Sequence, residues 1–148
     1  MLTRRRLVAS LFAVLATPAA LARAAAPPVF YRNPGCGCCL AWTERMAAAG
    51  LPVTMEDKED LAGFSASLGI PAGLEGCHVG EIDGYVVSGH VPPEDIKRLL
   101  SEKTMARGLI VPGMPVGSPG MEMGEQKDRY DVLLLAKDGT TTVFASHG

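Results

Sequence analysis

The sequence predicts an α/β fold on three observations: a strand–helix–strand opening, two strands joined across Asp83-Gly84, and a helix opened by Pro92-Pro93. A βαβ unit followed by a β-hairpin and a closing helix is the thioredoxin-like order. A loop of Met, Gly and Pro and a second β-hairpin extend it at the C-terminal end.

Each element follows from local chemistry. Val29-Phe30-Tyr31-Arg32 is a short β-rich run broken by Asn33-Pro34-Gly35. From Gly37 or Cys38 to Ala49, Leu40, Trp42, Met46 and the alanines favour a helix, and Gly50 stops it. Pro52 to Met55 reads as the second strand and Asp60 to Leu68 as a short helix ended by Gly69. Cys77 to Ile82 and Tyr85 to Ser88 flank Asp83-Gly84, a tight-turn pair. The Pro92-Pro93 helix runs to about Lys103, with Glu94 and Asp95 in its first turn, where the helix dipole favours negative charge. Gly108 to Met123 is too rich in Gly and Pro for a regular helix or a central strand. Tyr130 to Ala136 and Thr140 to Phe144 then flank Asp138-Gly139 as the second hairpin.

Residues 1–24 form a separate unit. Arg4, Arg5 and Arg6 precede an uncharged apolar run from Leu7 to Ala22, and Ala22-Arg23-Ala24 offers a small-x-small cleavage site. That is the layout of a secretory signal peptide, with an apolar run short for a membrane span. General secretion and twin-arginine export are both open, and a retained anchor is the competing reading. Residues 25–148 then form one domain, with a core over 28–104 and an extension over 105–148. The leader holds four of the 14 basic side chains and none of the 16 acidic ones, so the mature chain carries a formal charge of −6. An acidic chain with no basic cluster and only 5% aromatic residues does not suit nucleic acid.

All four cysteines, Cys36, Cys38, Cys39 and Cys77, lie in the mature part. Three fall within four consecutive residues, so a framework of two structural disulfides is crowded, and clustered thiols point to metal or redox chemistry. Cys36 and Cys39 keep CxxC spacing with the first thiol at a helix start, where unpaired backbone N–H groups favour a thiolate. They are the candidate catalytic pair of a thiol–disulfide oxidoreductase. Cys38 adds a third sulfur within the same turn. Three soft donors so close suit Cu(I), and with a fourth ligand they suit zinc. In the thioredoxin-like order Cys77 falls where a loop packs against the reactive cysteines, which makes it the fourth candidate sulfur. His78 would point to the opposite face of an extended strand, and a structural role is as good a reading as ligation. His90, in Ser88-Gly89-His90-Val91-Pro92, is a ligand candidate or a loop cap. Met114, Met121 and Met123 are soft, neutral ligand candidates or hydrophobic cover. His147 is expected to be exposed.

Taken together, Tyr31 to Trp42, Cys77-His78, Gly84 to Pro92, Val111 to Pro115 and Gly117 to Glu122 resemble the CopG-type family of copper-resistance proteins, whose hallmark is a CxCC motif. The resemblance runs from about Val29 to Phe144. It implies a periplasmic thioredoxin-like domain with a C-terminal extension, binding copper and acting in copper redox handling. The four cysteines match the family pattern one for one. Ser88 departs from it, because relatives commonly carry an acidic residue before Gly-His-Val-Pro, which touches only a local hydrogen bond. The expected metal ligands are therefore Cys36, Cys38, Cys39, Cys77, His90, Met114, Met121 and Met123. The expected partners are copper ions and periplasmic export or redox proteins. A monomer with no stable membrane insertion after cleavage completes the expectation.

Overall fold

Strand pairing, helix packing and side-chain positions are taken from a computed structural model that describes residues 26–148. The leader expected at 1–24 lies outside the described residues. Strand β1 (Val29–Arg32) leads into helix α1 (Gly37–Ala48), strand β2 (Thr54–Asp57) and helix α2 (Leu61–Ser67). Strands β3 (His78–Ile82) and β4 (Tyr85–Ser88), helix α3 (Pro93–Glu102) and strands β5 (Gly108–Ile110), β6 (Tyr130–Leu135) and β7 (Thr141–His147) complete a mixed α/β fold. The strands form one seven-stranded sheet in the order β2-β1-β3-β4-β5-β6-β7. Strands β1 and β2 are parallel, as are β4 and β5, and the other neighbours are antiparallel. Among the described residues no helix is long and apolar enough to cross a membrane.

Two apolar layers sandwich the sheet. Phe30, Val87, Leu109 and Val132 pack on Trp42 and Met46 of α1 and on Ile96 and Leu99 of α3. On the other side Val79, Val86, Ile110 and Leu135 pack with Leu61 of α2. Val86 and Val87, and likewise Leu109 and Ile110, serve opposite layers because successive strand side chains alternate faces. In α1 the buried residues Cys39, Trp42 and Met46 recur at helical spacing, so the packing that secures the helix also fixes the roll of its cysteines.

The elements differ from the sequence expectation at several points. Strand β2 starts at Thr54 rather than Pro52, because proline has no N–H and the pairing begins where Thr54 N–H donates to Pro28 O at 2.9 Å. Strand β5 lies inside the segment expected to be loop. It is short, and Gly108 is required there since a side chain at that position would meet the Val86 carbonyl. Strand β7 runs on to His147, which pairs with Tyr130 in the ladder. His147 is half-buried rather than exposed, with Nε2 2.7 Å from Asp95 Oδ2 and its ring stacked on Tyr130.

Candidate metal centre

The cysteines meet at the junction of β1, α1 and β3. The turn after β1 closes with Cys36 N–H on Asn33 O at 3.2 Å, and Asn33 N–H donates to Cys77 O at 3.3 Å. Backbone bonds thus tie the CxCC turn to the approach to β3. Arg32 steadies the same turn, donating from Nη1 to Cys36 O at 2.7 Å while its Nε pairs with Asp57 at 2.6 Å.

Cys36 and Cys39 are joined by a disulfide, whereas Cys38 and Cys77 are free thiols. Cys36 Sγ lies 3.4 Å from Cys38 Sγ, and Cys39 Sγ lies 3.4 Å from Cys77 Sγ. All four sulfurs fall within 4.8 Å of one another, close enough to share a metal ion. Burial, with the neighbouring Cys38 adding to it, pushes the Cys77 thiol up to about 12. Gathering further negative charge there without a cation would therefore be costly.

Two histidines join from the other side. His90 Nε2 is 3.1 Å from Cys77 Sγ, and His90 Nδ1 is 2.8 Å from Pro119 O. A carbonyl only accepts, so Nδ1 carries the proton and Nε2 presents a lone pair toward Cys77. His78 Nδ1 is 3.5 Å from Cys77 Sγ, and Cys77, His78 and His90 form a second group within 4.8 Å. The expectation that His78 faces away is corrected. Cys77 sits in a bend just before β3 starts, so the strand alternation does not yet apply to it. The His78 ring is fully buried, 4.3 Å from Trp42 and edge-on to His90 at 5.1 Å. Its Nε2 has no hydrogen-bond partner among the described residues. Burial, helped by His90, lowers His78 to about 3, and burial also lowers His90 although the Pro119 bond opposes it. Burial thus favours the neutral form of both rings, the form in which histidine ligates a metal.

The Gly/Pro/Met loop is tied to this centre by its backbone. Gly113 bridges Gly76, the residue before Cys77. Gly120 has φ +87°, and a Cβ there would stand 2.8 Å from Cys38 O and 2.6 Å from Trp42 N. Met114 and Met121 follow these two contact points, while Met114 and Met123 are exposed. Glu122 accepts from Arg45 Nε and from Gly120 N–H, both at 2.9 Å. Ser88 Oγ accepts Gly76 N–H at 3.1 Å, a local bond between the end of β4 and the residue before Cys77. The structure thus brings the four cysteines and His90 together, adds His78, and ties the methionine loop beside them. Arg32, Pro119 and Glu122 lie within the segments that carry the family resemblance, but no role for them was legible there, because each acts on distant chain or through backbone.

Residues 74–121 match the family described as "Protein of unknown function, DUF411", a span that holds Cys77, His90, Met114 and Met121 but not the CxCC turn. No curated protein matches. The chain is similar to the solved structure "Copper resistance protein copG- Form 1", with 42% identity and a TM-score of 0.77 over 82% of this chain and 96% of that one. It is likewise similar to "Copper resistance protein copG- Form 2", with 41% identity and a TM-score of 0.76 over 83% of this chain and 100% of that one. Such identity, over most of this chain and nearly all of theirs, shows that the chain belongs to the CopG family of copper resistance proteins.

Proposed function

We propose that this chain is an exported, periplasmic copper-binding protein that serves copper tolerance by holding Cu(I) on clustered cysteine thiolates. The observation that carries the reading is the set of four sulfurs within 4.8 Å of one another, with His90 Nε2 3.1 Å from the nearest. Soft thiolates favour Cu(I), while the imidazoles of His78 and His90 are donors that Cu(II) also accepts. That mixture supports interconversion of the two copper states at one centre. Met114, Met121 and Met123 are the soft donors of the adjoining loop, suited to passing Cu(I) in and out. The arginine-led leader supports export. The order β2-β1-β3-β4, with the CxCC turn between β1 and α1, supports the thioredoxin-like reading.

The four sulfurs can all ligate only after the Cys36–Cys39 bridge is reduced. Mature protein, reduced and handled without oxygen, is expected to bind Cu(I) and to prefer it strongly over zinc. Cys38→Ser and Cys77→Ser should each weaken copper binding by more than the roughly 10- to 100-fold that loss of an outer hydrogen-bond partner costs a metal site. The measurement is metal content and competition with a Cu(I) chelator. One zinc per chain that copper does not displace would point instead to a structural zinc site.

The bridged Cys36–Cys39 pair favours a second reading, a thiol–disulfide oxidoreductase with Cys36 as nucleophile and Cys39 as resolving thiol. Full copper loading in Cys38→Ser, together with disulfide-reductase activity abolished by Cys36→Ser, would establish that reading and remove the first.

A further inference from the structure

The carbonyl that holds His90 belongs to a peptide unit that is gripped at both ends. His90 Nδ1–H donates to Pro119 O at 2.8 Å, and the N–H of the same peptide, on Gly120, donates to Glu122 Oε2 at 2.9 Å. The other carboxylate oxygen of Glu122 accepts Arg45 Nε from α1 at 2.9 Å. One continuous chain of bonds therefore runs from Arg45 through Glu122, the Pro119–Gly120 peptide and His90 to Cys77 Sγ. Metal-binding histidines are commonly oriented by a carboxylate or a carbonyl on the far ring nitrogen, and that partner fixes the tautomer. Here both are present in series. The carboxylate polarises the peptide, and the peptide carbonyl holds the ring.

We propose that Glu122 is a positioning residue for the metal centre, acting through the Pro119–Gly120 peptide to keep His90 in the tautomer that leaves Nε2 bare toward Cys77. Among the described residues Glu122 is the acceptor bonded to that peptide N–H. Hydrogen bonds in series polarise one another, so a carboxylate on the Gly120 N–H strengthens the Pro119 carbonyl as an acceptor, even though Glu122 and Arg45 stand at the surface. Packing of Gly120 against the Cys38 carbonyl sets the distance of the peptide from α1, and Glu122 holds its N–H end.

The copper limb of the test rests on the proposed copper function, and the tautomer limb does not. In metal-free, reduced protein with nitrogen-labelled imidazoles, long-range proton–nitrogen spectra should show His90 as the single Nδ1–H tautomer. Glu122→Ala should yield a tautomer mixture, and Glu122→Gln, whose amide oxygen still accepts Gly120 N–H, should restore the single form. Glu125→Ala, an exposed acid in the same loop, should leave the spectrum unchanged. Copper affinity in Glu122→Ala should fall about tenfold, the lower end for loss of an outer partner. An unchanged His90 tautomer in Glu122→Ala overturns the proposal, as does a tautomer mixture that Glu122→Gln fails to rescue. Absence of copper binding in every variant would refute the copper reading alone, since the imidazole spectra still decide the role of Glu122.

Discussion

Gly120 shows how much of the centre depends on one missing side chain. At φ +87°, with Trp42 N and Cys38 O inside van der Waals distance of any Cβ, alanine there is strained twice. Gly124 has φ +62° but open space around it, so alanine there carries the conformational penalty alone. Gly120→Ala is therefore expected to cost on the order of 2 kcal/mol, and Gly124→Ala about 1 kcal/mol. Chemical denaturation of the metal-free protein measures both, and equal costs would show that the loop does not bear on α1. Residue by residue, the cysteines were legible in sequence because their chemistry depends on spacing along one turn. His78 was not, because its direction depends on a bend at Cys77 that no local pattern marks. His90 was legible only as a candidate, since the Pro119 carbonyl that orients it lies 29 residues away.

Among the elements, α1 and the Asp-Gly hairpins follow from periodicity and turn chemistry. The joint between α3 and the last hairpin does not. There Tyr130 stacks on His147, which in turn meets Asp95 of α3. Burial, with Glu94 and Asp95 next in effect, pushes the Tyr130 hydroxyl up to about 12 from its ordinary 10. Between those values the unfolded chain ionises this tyrosine while the folded chain keeps it protonated, so stability falls as pH rises through that window. Below it the group is neutral in both states and contributes no slope. Tyr130→Phe should flatten the decline in stability above pH 10, read from denaturation midpoints at stepped pH. A slope identical to the unmodified protein's would show that Tyr130 ionises freely in the folded state.

The described residues are held by one sheet that runs through the expected boundary near residue 104. Leu109, Ile110, Val111, Val132 and Leu135 are all fully buried, and they share their layers with Trp42, Met46, Val79 and Val86. Full burial of each such side chain contributes about 1.5–3 kcal/mol, and a whole domain typically nets only about 5–15 kcal/mol. Deleting residues 105–148 is therefore expected to abolish cooperative unfolding, followed by circular dichroism against denaturant. A sharp transition in the truncated chain would show that the first four strands and three helices suffice alone. By itself the sequence determined the clustering of the CxCC thiols, the tight hairpins and the α/β character, since these depend on neighbours within a few residues. Only the tertiary structure decided that β5 joins the two parts into one sheet. It also decided that His78 turns toward Cys77 and that the Pro119 carbonyl orients His90. Those outcomes are contacts between segments far apart in the chain, and long-range packing rather than local propensity sets which side chains meet.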